Sequence, residues 1–415
     1  MAGAITFLTM SYILAVNPMI LSAAGMDRAA LFSATVVAAI VGTLVMAFYA
    51  KLPFALASGM GLNAFFAYTL VLQMGYSWQQ ALAAVFFEGV VFILLTAFKV
   101  REAIVDAIPL NLRYAISVGI GLFIAYIGMK SAGIVVGSEA TLTALGPWTP
   151  SSLLAVAGVV MAGALMAFKV RGALFYTIIC MTVIGIPLGI TNLPDGFSIV
   201  SMPASMEPTA FHLDFSRFLS FDFNYLIVVF TLLFMDLFDT LGTLIGVSSI
   251  SGMADPKTGN LPRMNRALMA DAVATTAGAL CGTTTVTTYV ESATGIVAGG
   301  RTGLTSLTVA LLFAVALFFS PIFLAVPAAA TTCALVIVGV LMMKPMIYLD
   351  LSDITEALPA FVTIVIMPLT ASISEGIVLG FLSYVAVKVV SGRFSQLSPV
   401  MYVLALFFVL KYIVN

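Results

Sequence analysis

Apolar runs long enough to cross a bilayer follow one another along the chain, separated by short clusters of Gly, Pro and charged residues. A hydrocarbon core of roughly 30 Å needs about 17 to 25 such residues in a helix. On that measure the pattern predicts spans at 3–23, 29–50, 57–72, 78–98, 112–130, 151–168, 172–191, 223–247, 266–282, 284–299, 302–320, 322–343, 357–372 and 374–391. These make fourteen spans. A last apolar stretch, Leu397 to Val414, is either an interfacial helix or a fifteenth span; Ser398-Pro399 at its start and Lys411 near its end favour an interfacial helix over 392–415. Met1 runs straight into apolar sequence without a basic leader or cleavage site, so the start reads as a first helix and not a signal peptide.

Two spans do not read as continuous helices. Thr283 to Tyr289 are β-branched or aromatic and favour extended backbone, whereas Glu291 to Gly295 are small and helix-compatible. Extended backbone at membrane depth is tolerated only against other protein or a wet cavity, so this segment marks a binding site. The third span is irregular in the corresponding place, Ala57-Ser58-Gly59-Met60-Gly61-Leu62-Asn63-Ala64, although Gly59 and Gly61 alone need only allow close helix packing. Broken helices in corresponding positions of two repeats point to a transporter's substrate site.

Charge placement tests this arrangement. With the N-terminus cytoplasmic, inner loops hold Lys51, Lys99, Arg101, Arg113, Lys169, Arg171, Lys257, Arg263, Arg266, Arg301, Lys344, Lys388 and Arg393, and outer loops only Arg28, Lys130 and Arg217. That asymmetry is what the positive-inside rule expects of a cell-membrane protein whose N-terminus and fourteenth-span end are both cytoplasmic. The longest loop, 192–222, contains Pro194, Asp195, Gly196, Pro203 and Pro208 and reads as an external linker between repeats 1–191 and 223–391. Seven spans is an odd number, so the second repeat is inserted upside down. The expected fold is therefore all-α and polytopic, a 7+7 inverted repeat.

Composition closes off the soluble classes. The chain is 62% hydrophobic and 8% charged, with a mean hydropathy of +1.16, values that only a polytopic membrane protein sustains at this length. A net charge of −1 gives no reason to expect nucleic acid as a partner. Cys180, Cys281 and Cys333 lack metal or disulfide spacing, and the spans contain no His-rich set or Ser/His pairing. Neither a metal, nor a cofactor beyond a coupling proton, nor an enzyme is expected.

Every Lys and Arg falls at or beyond a span end, whereas Glu88, Asp236, Asp239, Asp271 and Glu291 fall within spans. An Asp at a helix centre costs about 2.5 to 3.5 kcal/mol on insertion scales, so these groups need a use or partners. Carboxyls at that depth can exchange protons near neutral pH, which suggests proton coupling. Asp236 and Asp239 form one helix stripe with Thr240 and Thr243, facing a cavity or hydrogen-bonded to neighbouring helices. Glu291 stands where extended chain gives way to helix; it can accept N–H donors from a heterocycle, cap the half-helix, or both. Asn63 offers a donor and an acceptor. Glu88 is divided between supporting the site and being a satisfied structural carboxyl, and Asp271 reads as structural.

The stretches Thr6-Phe7-Leu8-Thr9-Met10-Ser11-Tyr12 leading to Asn17-Pro18, Gly59 to Ala64, Phe238-Asp239-Thr240-Leu241-Gly242-Thr243, Thr287-Thr288-Tyr289-Val290-Glu291-Ser292-Ala293, and Gly300-Arg301-Thr302-Gly303-Leu304-Thr305 carry a resemblance over nearly the whole chain. The sequence closely resembles the AzgA-like purine permeases of the nucleobase–cation symporter-2 (nucleobase–ascorbate) superfamily. That resemblance implies a core of spans 1–4 and 8–11 and a gate of spans 5–7 and 12–14. It also implies a short strand plus half-helix in spans 3 and 10, with substrate between them, and proton-driven import of hypoxanthine, guanine or adenine. By motif, Asn63, Asp236, Asp239 and Glu291 become the purine-binding and proton-coupling set. Gly59, Gly61, Glu88, Thr240, Thr284 and Thr287 are candidate supports, and a homodimer through the gate domains is left open. Two departures stand out: relatives have Pro where Ser58 stands, and they carry a short cytoplasmic stretch before the first span. A uracil or xanthine carrier is disfavoured by the Phe-Asp-Thr motif. A channel or anion exchanger of the same inverted-repeat fold is disfavoured by a Glu at a half-helix N-terminus.

Overall fold

The computed structural model of the chain describes residues 1–98, 109–139, 141–193, 198–250, 253, 261–370 and 372–414. Lys99, Arg101 and Lys257, and the linker residues Pro194, Asp195 and Gly196, lie outside these, as do the side chains of Phe238, Leu241 and Lys411.

The first half contains α1 (Ala2–Met10), α2 (Ile13–Ser22), α3 (Arg28–Val45), β1 (Leu56–Ser58), α4 (Met60–Ala64), α5 (Trp78–Ala97), α6 (Leu110–Ser131), β2 (Val135–Ser138), β3 (Leu142–Leu145), α7 (Pro150–Ala167) and α8 (Ala173–Gly185). After α9 (Ser216–Leu219) come α10 (Phe223–Ile250), α11 (Met264–Cys281), β4 (Val286–Thr288), α12 (Ser292–Val297), α13 (Gly303–Ala316) and α14 (Ser320–Leu324). The chain ends with α15 (Ala328–Met342), α16 (Ile354–Thr370), α17 (Ile373–Val390) and α18 (Pro399–Val414).

Helix starts follow local chemistry. Asp27 caps α3 by accepting from the Ala30 N–H at 2.7 Å, Ser77 and Gln80 form a reciprocal box at α5, and Thr149 with Pro150 opens α7. Among the described residues, seven helical stretches are long and apolar enough to cross a membrane, and four shorter apolar helices accompany them. Two of the predicted spans are interrupted by strand. In the third span β1 replaces the first turn, and in the tenth β4 leaves only the six-residue α12. The hairpin β2–β3, paired Val135↔Leu145 through Ser138↔Leu142, occupies a connection that the hydropathy pattern leaves as loop.

Packing falls into two groups. In one, α11 lies against α3 and α5, α13 against α1 and α3, and the strand pair sits between α3 and α11. In the other, α6 lies against α15, α16 and α17, and α15 also packs on α7 and α8. The linker bridges elements of both halves at one end. Ser33 Oγ donates to Ala204 O at 2.8 Å, the Phe211 N–H to Leu280 O at 2.9 Å and the Ser201 N–H to Phe318 O at 2.9 Å.

Lys388 stands at a span end, as the sequence places it, but is buried there. It is in the last turn of α17 but only 1% exposed, with Nζ 2.7 Å from Glu356 Oε1 and donating also to Thr355 and Gln396. Arg393 pairs with Asp353 beside it.

Candidate functional site

At the centre, β1 and β4 pair antiparallel as Leu56↔Thr288, Ala57↔Thr287 and Ser58↔Val286. The ladder continues through Gly59 N–H to Thr285 O and Tyr289 N–H to Ala55 O, both at 3.0 Å. Two strands have outer edges whose backbone groups must still be satisfied where water is scarce. Thr43 of α3 does this for β1, its hydroxyl donating to Leu56 O at 3.2 Å and accepting from the Leu56 N–H at 3.0 Å. Thr275 of α11 does the same for β4, donating to Val286 O at 3.1 Å and accepting from the Val286 N–H at 3.3 Å.

The glycines are needed for close approach. A Cβ on Gly59 would lie 2.9 Å from Thr287 Oγ1, and one on Gly61 2.9 Å from Ile120 Cγ2. The packing reading thus holds for both, and it is this packing that lets β1 reach β4 and α4 reach α6.

Burial sorts the carboxylates. Glu88, Asp236 and Asp271 are each 0% exposed, whereas Asp239 and Glu291 are half-buried. Glu88 Oε2 accepts from Thr285 at 2.9 Å and so supports the chain running into β4. Thr240 Oγ1 lies 3.2 Å from Asp236 Oδ1 and 2.9 Å from Asp271 Oδ1, and Thr288 reaches Asp271 at 3.5 Å. Asp236 is therefore placed one layer behind the cavity, in a network that ties α10 to α11 and β4. Asp239 lies in front of it, where it accepts from Thr287 and lines a narrow cavity of about 10 Å³ with Gly61, Leu62, Ile120, Met235 and Met342. Glu291 occupies the N-cap position of α12, but its side chain makes no cap bond; Oε1 instead accepts from Tyr12 Oη at 2.6 Å. It is close enough to Asp239 for the two charges to interact. The buried Asn63 takes a hydrogen bond on Oδ1 from Thr284, and its Nδ2 has no partner among the described residues. Thr243 is buried on α10.

The roles of three contributors escaped the sequence reading. Tyr12 lies at the break between α1 and α2, Tyr289 Oη donates to Ser58 O at 2.5 Å, and Asn17 Nδ2 donates to Thr35 and to Thr283, which in turn bonds Ser58. A phenol or amide in an apolar span needs a partner, and that was the available signal.

A profile of the Permease family matches residues 1–379. The chain belongs to that family. The permease is 44% identical over 416 residues to the guanine/hypoxanthine permease PbuO of Bacillus subtilis, covering 99% of this chain and 95% of that one. It is 43% identical over 411 residues to the adenine permease AdeP of Escherichia coli, covering 99% and 91%. These relatives fall within the nucleobase–cation symporter-2 superfamily, as the sequence motifs indicated. In solved structures, the transmembrane domain of a cyanobacterium bicarbonate transporter, BicA, shares the fold with a TM-score of 0.66 at 17% identity over 91% of this chain and 96% of that one.

The candidate site thus draws on both halves of the chain: α4 and β1 from the first, α10, β4 and α12 from the second, with Tyr12 joining them from between α1 and α2. Oxygen acceptors dominate it, which suits a ligand that offers N–H groups.

Proposed function

We propose that the permease is a proton-coupled importer of the purine nucleobases hypoxanthine, guanine and adenine. The observation that carries this reading is the pair Asp239 and Glu291, the two of the five carboxylates within predicted spans that keep accessible surface, one held by Thr287 of β4 and the other, just beyond the end of that strand, by Tyr12. Glu291 accepts purine N–H donors, Asp239 receives substrate or proton, and the buried Asn63 amide donates to a purine acceptor when the cavity widens. A cavity of about 10 Å³ holds at most one water, so purine binding requires α4 and α10 to separate from α6 and α15. The relatives' names, adenine permease and guanine/hypoxanthine permease, support a purine substrate.

The proposed architecture is a fourteen-span 7+7 inverted repeat. Supporting it, Thr43 and Thr275 make the same paired bonds to the first residue of their strands, and the residues before them meet, with a Cβ on Gly42 falling 2.6 Å from Ala274 Cβ. The two packing groups correspond to a core, spans 1–4 and 8–11, that moves against a gate, spans 5–7 and 12–14. The N-terminus and the end of α17 face the cytoplasm across the cell membrane.

Uptake of labelled hypoxanthine into cells that lack their own purine carriers tests the function. Accumulation should collapse with a protonophore and be competed by guanine and adenine. Accumulation that survives the protonophore and follows a sodium gradient would overturn the coupling.

A further inference from the structure

A second cavity, of about 220 Å³, is lined by Tyr68, Leu72, Gln73, Ile127 and Lys130. It lies outside the central site but on the same seam. Gly61 and Ile120 line the narrow central cavity, and Tyr68 and Ile127 line this one, each about two helical turns, roughly 10 Å, further along the same two segments. The segment Phe65–Gln73 that supplies three of the lining residues is π-helical, a widened geometry that recurs at functional sites.

The linker places this cavity on one face of the molecule. Just beyond Gln73, Arg217 of the linker stands over the Tyr76 ring at 5.9 Å, and Gln80 bonds Asp214 at 3.2 Å. The cavity therefore opens on the linker side, which the proposed orientation puts outside the cell.

We propose that this cavity is an outer vestibule that binds the nucleobase before it reaches the central site. This rests on the purine reading. Tyr68 supplies an aromatic ring to the lining, and aromatic faces stack on planar heterocycles. Gln73 presents an amide donor and acceptor side by side, the complement of a purine edge. Its Nε2 spends only a long 3.4 Å bond on Thr370 O, an exposed contact readily exchanged for a ligand. Lys130 Nζ adds a donor for a ring carbonyl. The space is far wider than the central cavity and open on one side. A lipid phosphate fits less well, because Lys130 is the one cation in the lining among the described residues and such headgroups are held by clusters of basic residues.

Photolabelling of full-length protein in right-side-out vesicles with an azido-purine tests the assignment, using wild type and Glu291→Gln. The expected result is a label on the 68–73 or 127–130 segment that survives Glu291→Gln and is removed by excess hypoxanthine. In cells, Gln73→Ala and Lys130→Ala should each raise the uptake KM about 3- to 10-fold, as for loss of one hydrogen bond from a solvent-exposed donor, with maximal rate unchanged. Affinity of the purified variants at the central site should also stay as it is. Labelling confined to the central segments and lost in Glu291→Gln overturns the vestibule and leaves the purine reading standing. Labelling displaced by glycerol phosphate but not by hypoxanthine overturns it in favour of a lipid headgroup. No purine-sensitive label anywhere, together with no uptake by wild type, overturns both.

Discussion

Glu88 and Glu291 are both glutamates inside apolar spans, yet one is sealed behind Thr285 and the other meets Tyr12 with part of its surface open. Hydropathy cannot tell them apart, because what separates them is the route of the chain, which leaves Glu291 partly open just beyond the end of a strand, within charge range of Asp239. Glu291→Gln keeps the shape but presents a donor where an acceptor is needed. Losing a charge-assisted hydrogen bond, about 1.5 to 3 kcal/mol, should weaken hypoxanthine binding roughly 10- to 150-fold by calorimetry on purified protein. Tyr12→Phe removes the hydroxyl that holds Glu291 and should weaken binding by a smaller factor without changing which purine is preferred. Asp271→Asn should behave differently. It should lower the melting temperature by unsettling Thr240 and Thr288 while purine affinity stays within a few-fold. A folded Glu291→Gln protein that binds purines as tightly as wild type would remove the residue from the site.

Thr43 and Thr275 stand in ordinary helical sequence, and nothing in their neighbours announces that each closes the edge of a strand on another element. Replacing either by Val keeps the volume and leaves one N–H and one C=O of the strand unsatisfied. Each change should cost about 1 to 3 kcal/mol in denaturant unfolding, against little for Thr308→Val, whose hydroxyl bonds its own helix at an exposed position. The strands themselves were more legible, since the β-branched run from Thr283 to Thr288 contains β4. At α16 the cap is Asp353, which accepts from the Thr355 N–H at 3.0 Å and pairs with Arg393. The Thr355 N–H first, and Arg393 after it, hold its carboxyl at about 2, below the ordinary 3.8. A depressed carboxyl stabilises the fold above pH 3.8, and the contribution fades as pH falls through about 2. Melting temperature of purified protein followed from pH 5 downward should therefore drop in wild type, with a smaller drop in Asp353→Asn.

Across the whole molecule, composition and span spacing were enough to read a multi-pass membrane protein, while the assembly of one site from two distant segments depends on how the halves interlock. The proposed orientation predicts that a Cys placed at Ser205 reacts with an impermeant reagent in intact cells and one at Lys344 does not; the reverse pattern would invert the assignment. Interlocking also bears on biosynthesis. Tyr289 and Ser58 are bonded although 231 residues apart, and β1 meets β4 only once the tenth predicted span has been made. Until then the nascent first half carries unpaired peptide groups at a depth where each costs several kcal/mol in lipid. The ribosome-bound intermediate must keep that edge wet or shielded by the insertion machinery. Two separately translated halves, cut within the linker, should then remain protease-sensitive alone and become resistant when made together.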